Sequence, residues 1–314
     1  MYGYDNYQKV KERLEKRRES AIREAEARDA ELRLESREIR EVDAELTGTG
    51  LLLFKTACAG GDLAAIKERN AALIKKRREV LVSLGYPEDY SEIKYSCPEC
   101  CDTGYRGNKI CSCFREELIK ENIRSSGIGN LIEKQSFDNF DLSIYEDESI
   151  RKEMAHNLRE AKNYAEEFKI EAKNLLLIGT TGTGKTHLTT AIAKTVIENG
   201  FEVVYDSAQN VVAAFEYDRF KSGYGHYEAR GERYMECDLL ILDDLGTEFT
   251  NQFTVSCIYN LLNTRLNKGL PTVISTNLSA GELLSRYEDR IYSRILGTDT
   301  VVLRFLGKDN RLSR

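Results

Sequence analysis

The sequence predicts an α/β domain built on a parallel sheet with crossover helices, carried behind a helical N-terminal region and a small cysteine-rich module. Three observations predict it. Beyond residue 130, short apolar runs rich in Leu and β-branched residues alternate with helical stretches, as in buried parallel strands linked by crossover helices. Residues 5–46 are dominated by Glu, Arg and Lys and contain neither Pro nor Gly, which is a helix composition. Five of the eight cysteines fall within residues 97–113, a spacing that reads as a metal site rather than a disulfide framework.

With 314 residues and a hydrophobic fraction of 41%, the chain has room for one domain of roughly 150 to 200 residues and something smaller. The division expected is residues 1–90 as a helical partner-binding region, 91–130 as a cysteine-rich zinc-binding module and linker, and 131–314 as the large domain. A formal net charge of -6 argues against coating nucleic acid over the whole surface, so any such contact belongs to one face. No apolar run approaches the length of a membrane span, and MYGYDNYQKVKERL has no apolar core for secretion. A soluble, cytoplasmic protein with no membrane partner is expected.

In the N-terminal region one long helix is expected over residues 5–46. Ala25, Leu32, Ile39 and Leu46 recur every seven residues, with Leu14, Ala21 and Val42 on the companion series and Arg28 and Glu35 interrupting it. Gly48, Gly50, Gly60 and Gly61 suggest a break, after which Asp62 can cap a second helix over residues 62–84, with Leu63, Ile66, Leu73, Ile74 and Leu81 as its apolar stripe. The expectation is a helical hairpin that docks on another protein, against the plainer reading of a solvated arm.

The cysteine module, CPECCDTGYRGNKICSC, offers Cys97-x-x-Cys100 and Cys111-x-Cys113. Two thiolate pairs on tight turns suit tetrahedral Zn²⁺ with four sulfur ligands, which leaves no open position and makes the ion structural. Cys101 is a spare thiol that could replace Cys100 if the first turn slips. A redox pair and an iron–sulfur cluster are the competing readings.

The candidate strands of the large domain are residues 174–178, 202–205, 238–242, 272–275 and 300–305. The first runs into GTTGTGKTHL and then a helix, the setting that a G-x-x-x-x-G-K-[ST] phosphate loop requires. Gly179, Gly182 and Gly184 permit the tight turn, and the backbone of Thr180, Thr181 and Thr183 can turn N–H groups toward phosphates. Lys185 would neutralise β/γ oxygens and Thr186 would place its hydroxyl on Mg²⁺. His187 is counted with the nucleotide-contacting positions but not as a catalyst. ATP with Mg²⁺ is therefore the expected ligand, and hydrolysis the expected reaction.

CDLLILDDLGTE is an apolar strand ending in two acids. Asp243 is the metal-side residue, and Asp244 is placed to orient and polarise the attacking water. Glu248 is the reserve for that role, or a carboxylate at a helix start. At the tip of the next strand, Asn277 could sense the γ-phosphate or hold the water, or could simply end the strand. Further on, Arg290 and Arg294 are four apart on one helix face and could deliver a guanidinium to a neighbour's γ-phosphate. A salt-bridged surface helix is the alternative. FEYDRFKSGYGHYEAR, residues 215–230, interleaves aromatics with Arg219, Lys221 and Arg230, which suits base stacking with phosphate contact as well as it suits an ordinary amphipathic helix.

These motifs together make the chain resemble the bacterial DnaC/DnaI-type helicase loaders, a branch of the AAA+ ATPases close to the IstB transposition helpers. The resemblance rests on CPECCDTGY with CSCF, SFDNFDLSIY, GTTGTGKTHL, LLILDDLGTE, STNLS, and DRIYSRI before a terminal strand, and covers residues 95–311. It implies an AAA+ core with strand order 5-1-4-3-2 and no C-terminal lid, in which Lys185, Thr186, Asp243, Asp244 and Asn277 line the nucleotide. Arg290 or Arg294 would be the finger, with Arg311 in the sensor-2 place. It also implies that the N-terminal region grips a hexameric replicative helicase, that the ATPase domain self-associates, and that the ATP-bound core holds single-stranded DNA until hydrolysis releases the helicase. An IstB-like transposition helper and a nucleotide-gated adaptor with negligible hydrolysis are the competing functions.

Overall fold

The computed structural model describes residues 3–221 and 229–309. The chain forms two compact units, residues 11–115 and residues 1–10 with 116–314.

The first 83 residues carry α1 (Tyr4–Glu35), α2 (Arg37–Cys58) and α3 (Ala64–Ser83). The single helix expected over 5–46 is two helices. Ser36 leaves the helical region (φ -119, ψ 122) and its hydroxyl accepts from Ile39 N, capping α2. The break expected near Gly48 is absent: α2 runs through Gly48 and Gly50, with the Thr47 and Thr49 hydroxyls bonded back to Asp43 O and Leu46 O. A cluster of ion pairs around the buried Asp43 explains why the three helices hold together here. Asp43 of α2 accepts from Arg33 Nε of α1 at 2.9 Å and from Arg77 Nε of α3 at 2.7 Å, and Arg77 also reaches Asp29 of α1. Around it Leu32, Ile39, Val80 and Leu81 form an apolar cluster. The heptad positions Leu14, Ala25, Leu32, Ile39 and Val42 are buried, so the seam is filled within the chain. In α3 the stripe is shifted, with Val80 buried and Ile74 exposed. The cysteine module follows as a small antiparallel hairpin, β1 (Tyr105–Arg106) and β2 (Lys109–Ile110), and α4 (Ser112–Ser126).

After α5 (Leu131–Lys134), a 3₁₀ turn at Leu142–Ile144 and α6 (Glu148–Glu166), the large domain alternates strand and helix. Its elements are β3 (Asn174–Gly179), α7 (Lys185–Glu198), β4 (Val203–Ser207), α8 (Ala208–Lys221), α9 (Glu232–Glu236), β5 (Leu239–Leu245), α10 (Gln252–Asn267), β6 (Thr272–Thr276), α11 (Ala280–Ile295) and β7 (Thr300–Phe305). The five strands pair in parallel in the order β4-β5-β6-β3-β7. Counted along the domain this is 5-1-4-3-2, as the resemblance implied.

Alternate residues of each strand face opposite sides, so the sheet carries two cores. Leu175 and Leu177 of β3 pack with Met154, Leu188, Ile192 and Val196. Leu176, Leu240 and Leu242 pack on the other face with Ile258, Leu261, Leu283 and Tyr287. The parallel register aligns the C-terminal ends of the strands, pairing Ser207 with Asp243 and Ile178 with Thr276. That edge is where ligands bind in open α/β sheets. At the opposite edge Arg265 of α10 is fully buried, donating to Tyr234 O, Cys237 O, Pro271 O and Thr272 Oγ1, which ties α9 and the starts of β5 and β6 to α10.

Candidate functional site

The phosphate loop sits at the aligned strand ends. β3 stops at Gly179 and α7 starts at Lys185, with Gly184 as its N-cap at φ 97. Only glycine takes that left-handed backbone without strain. Gly184 is also closely covered, since a Cβ there would lie 3.0 Å from both Phe140 Cε2 and Tyr145 Oη and would press on both rings. The Tyr145 hydroxyl donates to Thr183 O at 2.9 Å, and burial pushes its pKa up to about 12, so it remains a donor. Tyr145 and Phe140, from the SFDNFDLSIY segment, thus brace the loop from behind.

Lys185 is buried and its ammonium donates to Gly179 O at 2.7 Å, Thr180 O at 2.7 Å and Asn277 Oδ1 at 2.6 Å. The loop lysine and the amide at the tip of β6 are therefore joined directly. Gly182, at φ 74, is covered by Asp309, whose carboxylate occupies the place a Cβ would take. Nearby, Thr180 Oγ1 donates to Gly307 O at 3.2 Å. His187 Nε2 lies 2.9 Å from both Ser136 O and Asn139 Oδ1, and its ring meets Phe140 edge-on. Its place is the wall beside the loop.

The two acids lie on an irregularity of β5. Pairing with β6 shifts between Leu242 and Leu245, and Asp244 takes a left-handed φ of 53. Such a bulge re-aims neighbouring side chains, so two consecutive acids need not point to opposite faces. Asp243 is buried and faces Thr186, whose hydroxyl lies 3.4 Å from Asp243 Oδ2. The same oxygen accepts from Tyr205 Oη at 2.6 Å, and Oδ1 accepts from Ser275 Oγ. Burial, with the Asp243 charge beside it, raises the Tyr205 phenol well above its usual range. Asp244 N donates to Ser275 Oγ at 2.9 Å.

Glu248 is almost fully buried with both oxygens committed, Oε1 to the Tyr287 hydroxyl and Oε2 to Gly246 N. Arg286 also donates to Glu248 O. Glu248 therefore clamps the loop after β5 onto α11. That helix has a kink at Glu288 (φ 61, ψ 170), and Arg290 and Arg294 both follow it. Arg294 is held internally, by Asn263 Oδ1, Tyr259 Oη and Arg290 O, with its guanidinium 4.5 Å from the Tyr259 ring centroid. Arg290 is exposed, and its guanidinium has no hydrogen bond or ion pair among the described residues.

Of the aromatic–basic segment, residues 222–228 and the Lys221 side chain lie outside the described residues, as does Arg311. Arg230 lies 3.9 Å from the Tyr217 ring centroid and Arg219 lies 5.1 Å from that of Phe253, while Phe220 is exposed. Asp218 accepts from Arg230 N and Gly231 N, tying the far end of the segment to α8.

In the cysteine module the Sγ atoms of Cys97, Cys100, Cys111 and Cys113 all lie within 4.8 Å of one another. The pairs Cys97–Cys111 and Cys100–Cys113 stand at 3.9 and 3.5 Å, close to the ~3.8 Å edge of a tetrahedron with ~2.3 Å Zn–S bonds. Cys101 is exposed at φ 52, outside the cluster. Asp102, also left-handed at φ 55, is buried and builds the first turn: its carboxylate accepts from Ser96 N at 2.8 Å, Cys97 N at 3.0 Å and Arg17 Nη2 at 2.9 Å. Backbone N–H groups of Cys100 and Glu99 lower the Cys97 thiol to about 7, whereas burial raises Cys100 and Cys113. Four thiols so close cannot all ionise alone, and a dication would supply the missing charge. The donor set therefore fits zinc. Sequence reasoning passed over Asp102, Tyr145, Tyr205 and Ser275. Tyr145 lay inside a motif already singled out, but nothing in local spacing marks Tyr205 or Asp102.

Among the described residues no helix is long and apolar enough to cross a membrane. The family of IstB-like ATP binding proteins matches residues 121–299. The replicative helicase loader DnaC of Escherichia coli (strain K12) is 24% identical over 181 residues, 58% of this chain and 71% of that protein. The replicative helicase loader DnaC of Buchnera aphidicola is 27% identical over 194 residues, covering 57% of this chain and 74% of its own. The crystal structure of the DnaC helicase loader overlaps 56% of this chain and 98% of its own at a TM-score of 0.48 and 20% identity.

Proposed function

The chain belongs to the family of IstB-like ATP binding proteins, and from that premise we propose that it is an ATP-hydrolysing loader of a hexameric replicative helicase onto single-stranded DNA. The observation that carries the reading is the joining of Lys185, Thr186, Asp243 and Asn277 at the C-terminal edge of a 5-1-4-3-2 sheet. Homology to the DnaC loaders supports the choice of partner.

The backbone of residues 180–186 would cradle the triphosphate, with Lys185 exchanging carbonyl oxygens for phosphate oxygens. Thr186 and Asp243 would hold the magnesium ion, which when bound neutralises charge on the phosphates. Asp244 orients water and accepts its proton at the carboxylate. Asn277, released from Lys185, senses the γ-phosphate. Arg290, whose guanidinium is unengaged among the described residues, is the better finger toward a neighbouring subunit, whereas Arg294 braces α11 against α10. Residues 215–230 contact single-stranded DNA, and residues 1–90 dock the helicase. Four-sulfur zinc in the 91–130 module would be structural, with no open position for chemistry.

The test is affinity capture from host extract with the full chain, with and without ATP. Recovery of a hexameric replicative helicase is expected. Recovery of a transposase instead would make the chain a transposition helper, and ATP turnover too slow to measure with and without single-stranded DNA would make it an adaptor.

A further inference from the structure

Asp243 is bound on both of its oxygens, and the nearer of the two partners on Oδ2 comes from a strand that the phosphate-loop motif does not include. Tyr205 of β4 donates to Oδ2 at 2.6 Å. The register pairs Tyr205 with Ile241 and Ser207 with Asp243, so Tyr205 and Asp243 are diagonal neighbours on one face, a separation that a long aromatic side chain spans. Thr189 of α7 lies 3.2 Å from the same hydroxyl. The phenol is buried at 7% exposure. Phenylalanine would fill the same space without the cost of burying a hydroxyl, so what calls for explanation is the oxygen, not the ring.

A carboxylate offers about four lone-pair positions, and the bonds from Ser275, Tyr205 and Thr186 leave room for a cation. Hydrogen bonds to a ligating carboxylate fix its orientation, and their loss typically weakens metal binding by about 10- to 100-fold. We infer that Tyr205 is a positioning residue for magnesium: its hydroxyl holds the Asp243 carboxylate in the orientation that faces Thr186. The inference rests on the nucleotide reading above.

The experiment titrates magnesium into the full chain and its Tyr205→Phe variant in the presence of N-methylanthraniloyl-ATP, repeats the nucleotide titration in EDTA, and records Tm. The variant is expected to need about tenfold more magnesium, with metal-free nucleotide binding and Tm held near wild type. A merely structural role would move Tm and the metal-free affinity together. Thr189→Val, which removes the second partner of the hydroxyl, shifts the magnesium midpoint in the same direction by less. It decides the matter if Tyr205→Phe does not fold, an unmoved midpoint then overturning the inference. An unmoved midpoint in a folded Tyr205→Phe overturns it directly while the nucleotide reading stands. A wild-type chain without magnesium-dependent uptake overturns both.

Discussion

Serine substitution across the cysteine module separates the four clustered thiols from the fifth. Cys97, Cys100, Cys111 and Cys113 converge within 4.8 Å, while Cys101 is exposed and outside. A four-ligand structural zinc site is worth about 10–16 kcal/mol, so one thiolate accounts for roughly 3–4 kcal/mol, or about 10²- to 10³-fold in affinity. A bound metal would couple to the folding of the module, because the Asp102 carboxylate that collects Ser96 N, Cys97 N and Arg17 is itself held in a left-handed turn beside the thiols. Metal content by mass spectrometry of the purified chain, with competition against a chromophoric chelator, reads the difference. One zinc per chain is expected for wild type and for Cys101→Ser, and a loss of about 100-fold or more in affinity for Cys97→Ser or Cys111→Ser. Cys101→Ser losing zinc as readily as Cys97→Ser, or Cys97→Ser retaining it at wild-type affinity, would refute the reasoning.

Arg265→Met takes the guanidinium bonds away from three backbone carbonyls, leaving Pro271 O only its longer bond from Leu240 N, and is expected to destabilise the large domain by about 3 kcal/mol in urea titrations followed by circular dichroism. Arg290→Ala is expected to lower ATP turnover by about 10³-fold with nucleotide affinity unchanged, while Arg294→Ala, which removes bonds to Asn263 and Tyr259, lowers Tm as well. Steady-state kinetics and thermal melts distinguish the two. Ser36→Ala removes the cap of α2 and is expected to cost about 1 kcal/mol in the helical region, read as faster amide exchange at residues 37–40.

The large domain was legible because its signals are local. Each apolar run of four to six residues became a parallel strand, and the run at 300–305 matches β7 end to end. The phosphate loop was legible because its glycines, lysine and threonine are consecutive. The N-terminal helices were less so: two glycines at 48 and 50 looked like a stop, and Ser36 looked like one more polar residue. Tertiary bonds around Asp43, 34 positions from Arg77, outweigh those local preferences. The same reason hid Tyr205, 38 positions from Asp243, and hid the engagement of Arg294 with Asn263. Glu248 had looked like a spare acid near the water, and only packing against Tyr287 shows its oxygens committed.

Equilibrium binding of magnesium-loaded ATP to the full chain and to Lys185→Ala bears most directly on the whole account. The ammonium that now bridges Gly179 O, Thr180 O and Asn277 would carry charged bonds to phosphate worth about 3 kcal/mol, so saturable wild-type binding and a variant weaker by about 100-fold are predicted. Equal affinity in the two chains, or no saturable binding by the wild type, would contradict it.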